Sequence, residues 1–317
     1  MAAAGYSARV NTAVIDIGTN TLLLLVVDDQ LHRVVDLCRF GRLGKGLDAS
    51  GRLDPEAIAR SLDICREYRA VMDQHSVDAP AVIATQAMRE AKNAADFVGP
   101  AEQILRAKIE VIGGTREAEL AFLSVARTFT DLAGTPYVVV DVGGGSTEFI
   151  VTDGAKVVSA VSVPIGAVRL TERHLKHDPP AADELVALDA DIDRHLAPLA
   201  LPRGVPLIGT AGTATTMAAV HLGLGTYDPD AATGLRLSPA AIGQMRARLA
   251  AATVAQRKAT AGIEPQRADV IAAGVAIYAR AMRRMEAPVM ITCDRGIRWG
   301  LAFERAGRLV QADRAGD

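Results

Sequence analysis

Val139-Val140-Asp141-Val142-Gly143-Gly144-Gly145-Ser146-Thr147-Glu148 is the stretch on which the reading of this chain turns. A β-branched apolar run ends in an acid, a turn of three glycines and two hydroxyl residues follows, and a second apolar run, Phe149-Ile150-Val151, leads away. That order predicts a buried strand, a tight turn and a returning strand of the same sheet. Three consecutive glycines weaken a hairpin that has only to reverse the chain, because they add backbone freedom and no side chain to pack. They suit a turn whose main-chain N–H groups must approach an anion, beside a carboxylate able to hold a phosphate-neutralising cation. The segment therefore reads as a phosphate cradle.

Val14-Ile15-Asp16-Ile17-Gly18-Thr19-Asn20-Thr21 is a second version of the same device, Asp16 preceding Asp141 by 125 positions (141 minus 16). Alone, an Asp-x-Gly turn is also a common way to make a hairpin. As one of two, it points to a duplicated fold that clamps phosphates between its halves. A third glycine turn, Leu207-Ile208-Gly209-Thr210-Ala211-Gly212-Thr213-Ala214-Thr215, joins a strand to a helix and places free N–H groups at a helix N-terminus.

Around these turns the pattern is α/β. Strands are predicted over residues 11–17, 21–28 and 33–40, and a helix starts at Asp54-Pro55-Glu56, with the acid as N-cap and proline in the first helical position. A strand over 81–85 is followed by Gln86-Ala87-Met88-Arg89-Glu90 at a strand end, where ligand residues of open α/β sheets gather. A helix over about 93–106, a strand over 109–112 and a helix from about 115 complete the first unit. The second begins at Pro136, runs through strands to about 163, and then turns mainly helical. Arg42 and Lys45, in the loop Arg39 to Leu47, either extend a channel for a longer polyanion or keep that loop soluble. Arg267 and Asp269, near the start of an amphipathic helix from Ala268 to about Met285, either pair structurally or face the cleft, with Asp269 read as structural. Arg295 to Ala306 is helix-like, with Ile297, Trp299, Leu301, Ala302 and Phe303 available to bury.

Composition bounds the function. A length of 317 residues exceeds the size at which one core keeps growing and indicates two domains. Half the residues are hydrophobic, yet no unbroken apolar stretch approaches the roughly 20 residues of a membrane span, and Met1 to Arg9 carries no hydrophobic targeting core. Cys38, Cys65 and Cys293 show no metal-like spacing and read as reduced thiols of a cytoplasmic protein. The histidines show no ligand spacing either; His174 and His177 read as solvated helix surface. A net charge of −2 with 4% aromatic residues argues against a DNA- or RNA-binding surface, so a polyanion must be held by local arginines, main-chain N–H groups and metal.

Three such turns in this order resemble the actin-like ATPase, sugar kinase and heat-shock superfamily. Within it the sequence is similar to the exopolyphosphatase and guanosine pentaphosphate phosphatase family over nearly the whole chain. The resemblance is carried by Ala13 to Thr21, Arg42-Leu43-Gly44-Lys45-Gly46-Leu47, Ala84-Thr85-Gln86-Ala87-Met88-Arg89-Glu90-Ala91, Gly114-Thr115-Arg116-Glu117-Ala118, Asp141 to Glu148, Gly209 to Thr213, and Arg267 to Gly274. It implies an α/β fold of two ribonuclease-H-like domains around a cleft, in the short, two-domain form of the family. Domain I would span residues 1–116 and domain II 117–296, with a last helix, 297–317, returning to domain I.

The activity implied is metal-dependent hydrolysis of the terminal phosphoanhydride of inorganic polyphosphate, with guanosine pentaphosphate as the alternative substrate and a non-catalytic phosphate- or nucleotide-binding regulator as the reading from another class. Glu117 stands at the position of the family's catalytic glutamate. Glutamate in the first turn of a helix is otherwise ordinary dipole chemistry. Asp141 and Glu148 resemble the family's other acids, and with Asp16 they would hold Mg²⁺ or Mn²⁺. Thr19, Asn20, Thr21, Gly143, Gly144, Gly145, Ser146 and Thr147 would hold successive phosphates, Arg89 would pair with phosphate oxygens from the side, and Gly209, Thr210, Gly212, Thr213 and Arg267 would complete the phosphate-binding set. Many members carry two adjacent glutamates where this chain has Arg116-Glu117; the arginine is expected to lower the pKa of Glu117 or to reach for substrate phosphate. A homodimer is expected from the resemblance alone.

Overall fold

The structure, a computed structural model, describes residues 11–315. The N-terminal segment searched above for a targeting core, and the last two residues of the predicted final helix, lie outside them.

The first half contains β1 (Thr12–Ile17), β2 (Leu22–Val27), β3 (Arg33–Arg39), α1 (Leu47–Ser50), α2 (Pro55–Gln74), β4 (Ala81–Ala84), α3 (Gln86–Glu90), α4 (Ala95–Leu105), β5 (Ile109–Val111) and α5 (Gly114–Thr128). The second contains β6 (Tyr137–Val142), β7 (Thr147–Thr152), β8 (Val157–Val163), α6 (Ala167–His174), α7 (Ala182–Leu196), β9 (Leu207–Thr210), α8 (Ala211–Leu222), α9 (Pro229–Ala232), β10 (Arg236–Leu237), α10 (Pro239–Ala251), α11 (Val254–Lys258), α12 (Ile271–Met285), β11 (Met290–Thr292) and α13 (Ile297–Ala315). Local signals set several boundaries. The Asp54 carboxylate accepts from the N–H of Glu56 at 2.7 Å and caps α2, while Pro55 takes the first helical position, where no donor is needed.

The duplication read from the two loops is a duplication of topology. One sheet runs β3-β2-β1-β4-β5 and the other β10-β11-β9-β6-β7-β8. In each, the first strand pairs antiparallel with the second and parallel with the strand that follows the crossover: β1 with β2 and β4, β6 with β7 and β9. Both halves are thus ribonuclease-H-like, and together they form the actin-like ATPase architecture. The register places Asp16 opposite Leu23 but Asp141 opposite Glu148, so only the second half pairs two acids across a hairpin.

Two helices join the halves. α5 packs on β6, β7 and β8, and α13 packs on α5, β1 and β2. Val14, Leu25 and Ile83 from the first sheet share one buried cluster with Ala118, Val125, Val139, Ile150, Trp299 and Leu301. A Cβ added at Gly300 would lie 2.0 Å from the Leu120 carbonyl oxygen, so glycine lets α13 settle directly on the backbone of α5. Cys65 and Cys293 are buried and Cys38 half-buried, all as free thiols. No helix among the described residues is long and apolar enough to cross a membrane.

Two expectations need correction. His174 and His177 do not share a solvated helix face: α6 ends at His174, whose Nε2 lies 2.7 Å from Asp191 on α7, whereas His177 lies beyond the helix beside Glu184. The loop after β3 also contains a short helix, α1, between Gly46 and Gly51, both in the left-handed region.

Candidate active site

The two hairpin turns face one another across a cleft of about 1430 Å³ lined from both halves. They close with the same hydrogen bond, Gly18 N–H to the Thr21 carbonyl at 2.9 Å and Gly143 N–H to the Ser146 carbonyl at 3.0 Å. Other carbonyls of both turns are claimed from behind. Gly44 and Arg42 donate to the carbonyls of Thr19 and Asn20, at 2.8 and 3.0 Å. In the second turn the N-terminus of α6 does this work: Ala167 donates to Gly143 at 2.9 Å and Val168 to Gly144 at 2.8 Å, while Arg169 Nε takes the Gly145 carbonyl at 2.9 Å. The main-chain N–H groups of Thr19, Asn20, Gly144 and Gly145 have no acceptor among the described residues. Carbonyls turned outward and N–H groups left free make each turn an anion cradle. Side-chain space at Gly145 is already filled, since a Cβ there would sit 2.0 Å from Gln86 Oε1.

Four of the acids lining this cleft stand at the facing hairpins and the helix beside them: Asp16 at the end of β1, Asp141 on β6, Glu148 on β7, and Glu117 in the first turn of α5. Burial penalises their charged forms and dominates every one of them. It raises Asp16 to about 7, helped by Asp141 and opposed by Arg298. Asp141 is raised to about 6. Glu117 is raised to about 7 by burial, against the pull of Arg89, with Asp141 and Asp16 adding to the rise. Glu148 is raised to about 8 by burial and by Glu117 and Asp141, although it accepts hydrogen bonds from Ser162 at 2.6 Å and Ser146 at 2.9 Å.

The residues singled out in the sequence are distributed as follows. Asp16, Thr19, Asn20, Thr21, Glu117, Asp141, Gly143, Gly144, Gly145, Ser146, Glu148, Gly212, Thr213 and Arg267 all line the cleft. Thr147, Gly209 and Thr210 do not. The Thr147 hydroxyl donates to the Ile165 carbonyl, Gly209 packs against Met290 and Tyr278, and the Thr210 carbonyl accepts from Tyr278 at 2.7 Å, so these residues shape the walls from within. Arg89 is held by Glu117 and by the Ile112 carbonyl.

Arg116 requires a fuller correction. Its guanidinium forks onto both oxygens of Glu304 on α13, at 2.7 and 2.8 Å, and is not part of the cleft lining. It neither reaches the phosphate loops nor lowers Glu117, which is raised. Among the described residues Arg267 pairs with no acid: it donates to the Gly212 carbonyl and lies over the Phe40 ring at 5.5 Å. Asp269 is indeed in an ion pair, but with Arg42 at 2.9 Å, joining the first-half loop to the second half.

A further group was missed. Arg298, 9% exposed, pairs with Asp36 and Asp294 at 3.1 Å each, and Tyr227 donates to Asp294 at 2.5 Å; all four line the cleft. The apolar spacing of α13 announced burial and concealed that one arginine on it faces the ligand space. Ala211 also lines the cleft with φ of 62°, a left-handed conformation strained for alanine.

Duplicated ribonuclease-H-like halves, opposed N–H cradles and buried acids at the facing strand ends define a phosphoryl-handling protein of the actin-like ATPase class. The Ppx/GppA phosphatase family profile matches residues 24–309, and the chain belongs to that family. It is 36% identical to exopolyphosphatase 2 of Mycobacterium tuberculosis, over 95% of this chain and all of that protein. It is 27% identical to the guanosine-5'-triphosphate,3'-diphosphate pyrophosphatase of Vibrio cholerae, over 95% of this chain and 60% of that protein. Among solved structures, an exopolyphosphatase from Cytophaga hutchinsonii superposes with a TM-score of 0.86 at 29% identity, covering 94% of this chain and 98% of that one.

Proposed function

We propose that this protein is an exopolyphosphatase, hydrolysing the terminal phosphoanhydride of inorganic polyphosphate and releasing orthophosphate. The observation that carries the reading is the opposition of two N–H cradles across one cleft with Glu117 beside them. A polyphosphate end needs little covalent help: it needs in-line geometry, an oriented water and neutralised non-bridging oxygens. Main-chain N–H groups of Thr19, Asn20, Gly144 and Gly145 hold consecutive phosphates. Glu117, raised to about 7, is charged over a useful fraction of molecules at neutral pH and accepts the proton of the attacking water. The water oxygen bonds to the terminal phosphorus as the bridging P–O bond breaks, leaving a chain shorter by one phosphate.

A divalent cation fits the floor of this cleft. Asp16 Oδ1 is enclosed without a hydrogen-bond partner, and among the described residues no three acidic, histidine or cysteine side chains form a metal cage. That sparse donor set suits Mg²⁺, which keeps waters and takes one or two carboxylates together with phosphate oxygens; Mn²⁺ accepts the same ligands. Asp16 and Asp141 would hold it, with Glu148 contributing through its contacts across the hairpin. Bound there, the ion would supply neutralisation of the phosphate charge.

Guanosine pentaphosphate is the second reading, because its terminal bond is of the same kind and the Vibrio relative is named for such a nucleotide. The domain division proposed is residues 1–116 and 117–296, with α13 returning to the first domain; the packing of α13 on β1 and β2 supports it.

The test is phosphate release from short polyphosphate, long polyphosphate and guanosine pentaphosphate in parallel, with Mg²⁺ or EDTA, by the wild type and Glu117→Gln. Metal-dependent release that vanishes in the variant is expected, and the fastest substrate names the enzyme. Binding without release from any of the three would replace this reading with that of a phosphate-binding regulator.

A further inference from the structure

Arg169 lies behind the second phosphate loop and is absent from the cleft lining. Its side chain is 12% exposed, and its guanidinium spends three nitrogens on three different elements. Nε donates to the Gly145 carbonyl at 2.9 Å, Nη2 to Glu90 at 2.6 Å, and Nη1 to Asp48. Gly145 belongs to the second half, whereas Glu90 on α3 and Asp48 on α1 belong to the first. Glu90 also accepts from Gln86 Nε2 at 2.7 Å, and Gln86 is the side chain that fills the space over Gly145. One residue before Glu90 on the same short helix is Arg89, which grips Glu117. The fork therefore touches the cradle on one side and the helix that holds the base on the other.

We propose that Arg169 is a positioning residue that makes assembly of the cradle conditional on closure of the two halves. When Asp48 and Glu90 come against α6, the guanidinium is held flat and turns the Gly145 carbonyl outward, which leaves the N–H of the same peptide plane, that of Ser146, directed at phosphate. The same contact seats α3, and with it Arg89 and Glu117. A planar fork with divergent donors meets this demand; an ammonium on a flexible stem holds the charge but not the three directions together. The inference rests on the exopolyphosphatase reading for its kinetic consequence, and on the cross-cleft contacts alone for its structural one.

The experiment compares wild type with Arg169→Lys, Arg169→Met and Arg173→Gln. Arg173 also binds Asp48, at 3.0 Å, but touches no loop carbonyl. Phosphate release from short polyphosphate gives kcat and KM, and small-angle X-ray scattering gives the radius of gyration. Both Arg169 variants should lose about 10²-fold in kcat, the scale of an active-site misplacement, with KM within about threefold. Their radius of gyration should rise, Arg173→Gln should stay within about twofold of wild type in kcat, and free guanidinium should restore part of the rate to Arg169→Met. A KM increase matching the loss would overturn the proposal in favour of direct phosphate contact. Unchanged kcat, or an equal loss in Arg173→Gln, would reduce Arg169 to a general ion pair. If the wild type releases no phosphate from any substrate, the exopolyphosphatase reading fails. The scattering still decides the fork in that case: an unchanged radius in both Arg169 variants overturns it, and an increase upholds it.

Discussion

One nitrogen of Arg89, Nη1, is shared between the carboxylate of Glu117 and the carbonyl of Ile112, just beyond the end of β5. The arginine thus ties the first turn of α5 to the strand end before it and sets a positive charge on an acid that burial would otherwise keep neutral. Burial wins, leaving Glu117 at about 7, but the margin depends on Arg89.

The acid limb of the kcat/KM profile for phosphate release should therefore fall near pH 7, activity rising with pH as the base loses its proton. In Arg89→Met the lowering influence is gone, so the limb should move to higher pH and part of the lost activity should return under alkaline conditions. A pH series from 5 to 9 on both proteins checks this, and a limb that stays in place would separate Arg89 from the base.

The same carboxylates make folding pH-dependent. Asp16, Glu117, Asp141 and Glu148 are all raised in the folded protein, from ordinary values of 3.8 or 4.5 to between about 6 and about 8. A raised acid favours folding in its protonated form, so its contribution is complete below its unfolded value and is lost as pH climbs through its folded one. Metal-free protein should lose thermal stability between about pH 4 and 8, each titrating group contributing on the order of 1.4 kcal/mol per pH unit between its unfolded and folded values. Glu148→Gln should flatten the upper end of that decline. Melting curves in EDTA across this range decide it; a rising Tm would contradict the burial of these acids.

Gly145 and Gln86 occupy one space, so Gly145→Ala should displace the second loop. A loss of activity with about 1–3 kcal/mol of destabilisation is expected, the usual scale of overpacking. Gln86→Ala removes the obstructing amide, and the double variant should regain part of both losses. Additive effects in a double-mutant cycle would show that the two do not meet.

Arg116 gives the contrasting case beside the proposed base. Arg116→Ala breaks the fork onto Glu304, a partly exposed pair worth about 0.5–1 kcal/mol. Denaturant unfolding should register that small loss, while kcat stays within about twofold of wild type. A large fall in kcat would return Arg116 to the cleft.

Much of the site was legible because its chemistry is local. Asp16 with Gly18 to Thr21, and Asp141 with Gly143 to Glu148, each lie within one hairpin, so strand, turn and acid arrive together in any fold that forms the hairpin. Thr147, Gly209 and Thr210 lie outside the cleft lining for the complementary reason: alternation along a strand tells that side chains change face, and not which face the tertiary packing closes. Where Arg42 and Arg116 would pair was not legible because an arginine's reach spans elements distant in the chain, as the Arg42 pairing with Asp269 and the Arg116 fork onto Glu304 do.

The sequence by itself determined the two Asp-Gly hairpin loops, the α/β duplication and the family, since β-branched runs, glycine turns and helix caps act over a few residues. Only the tertiary structure decided which acids are buried together, that Arg298 enters the cleft with Asp36 and Asp294, and that Arg169 crosses from α6 to the other half. Those outcomes depend on desolvation and on contacts between residues as many as 262 positions apart, quantities that exist only once the two sheets have closed around α5 and α13.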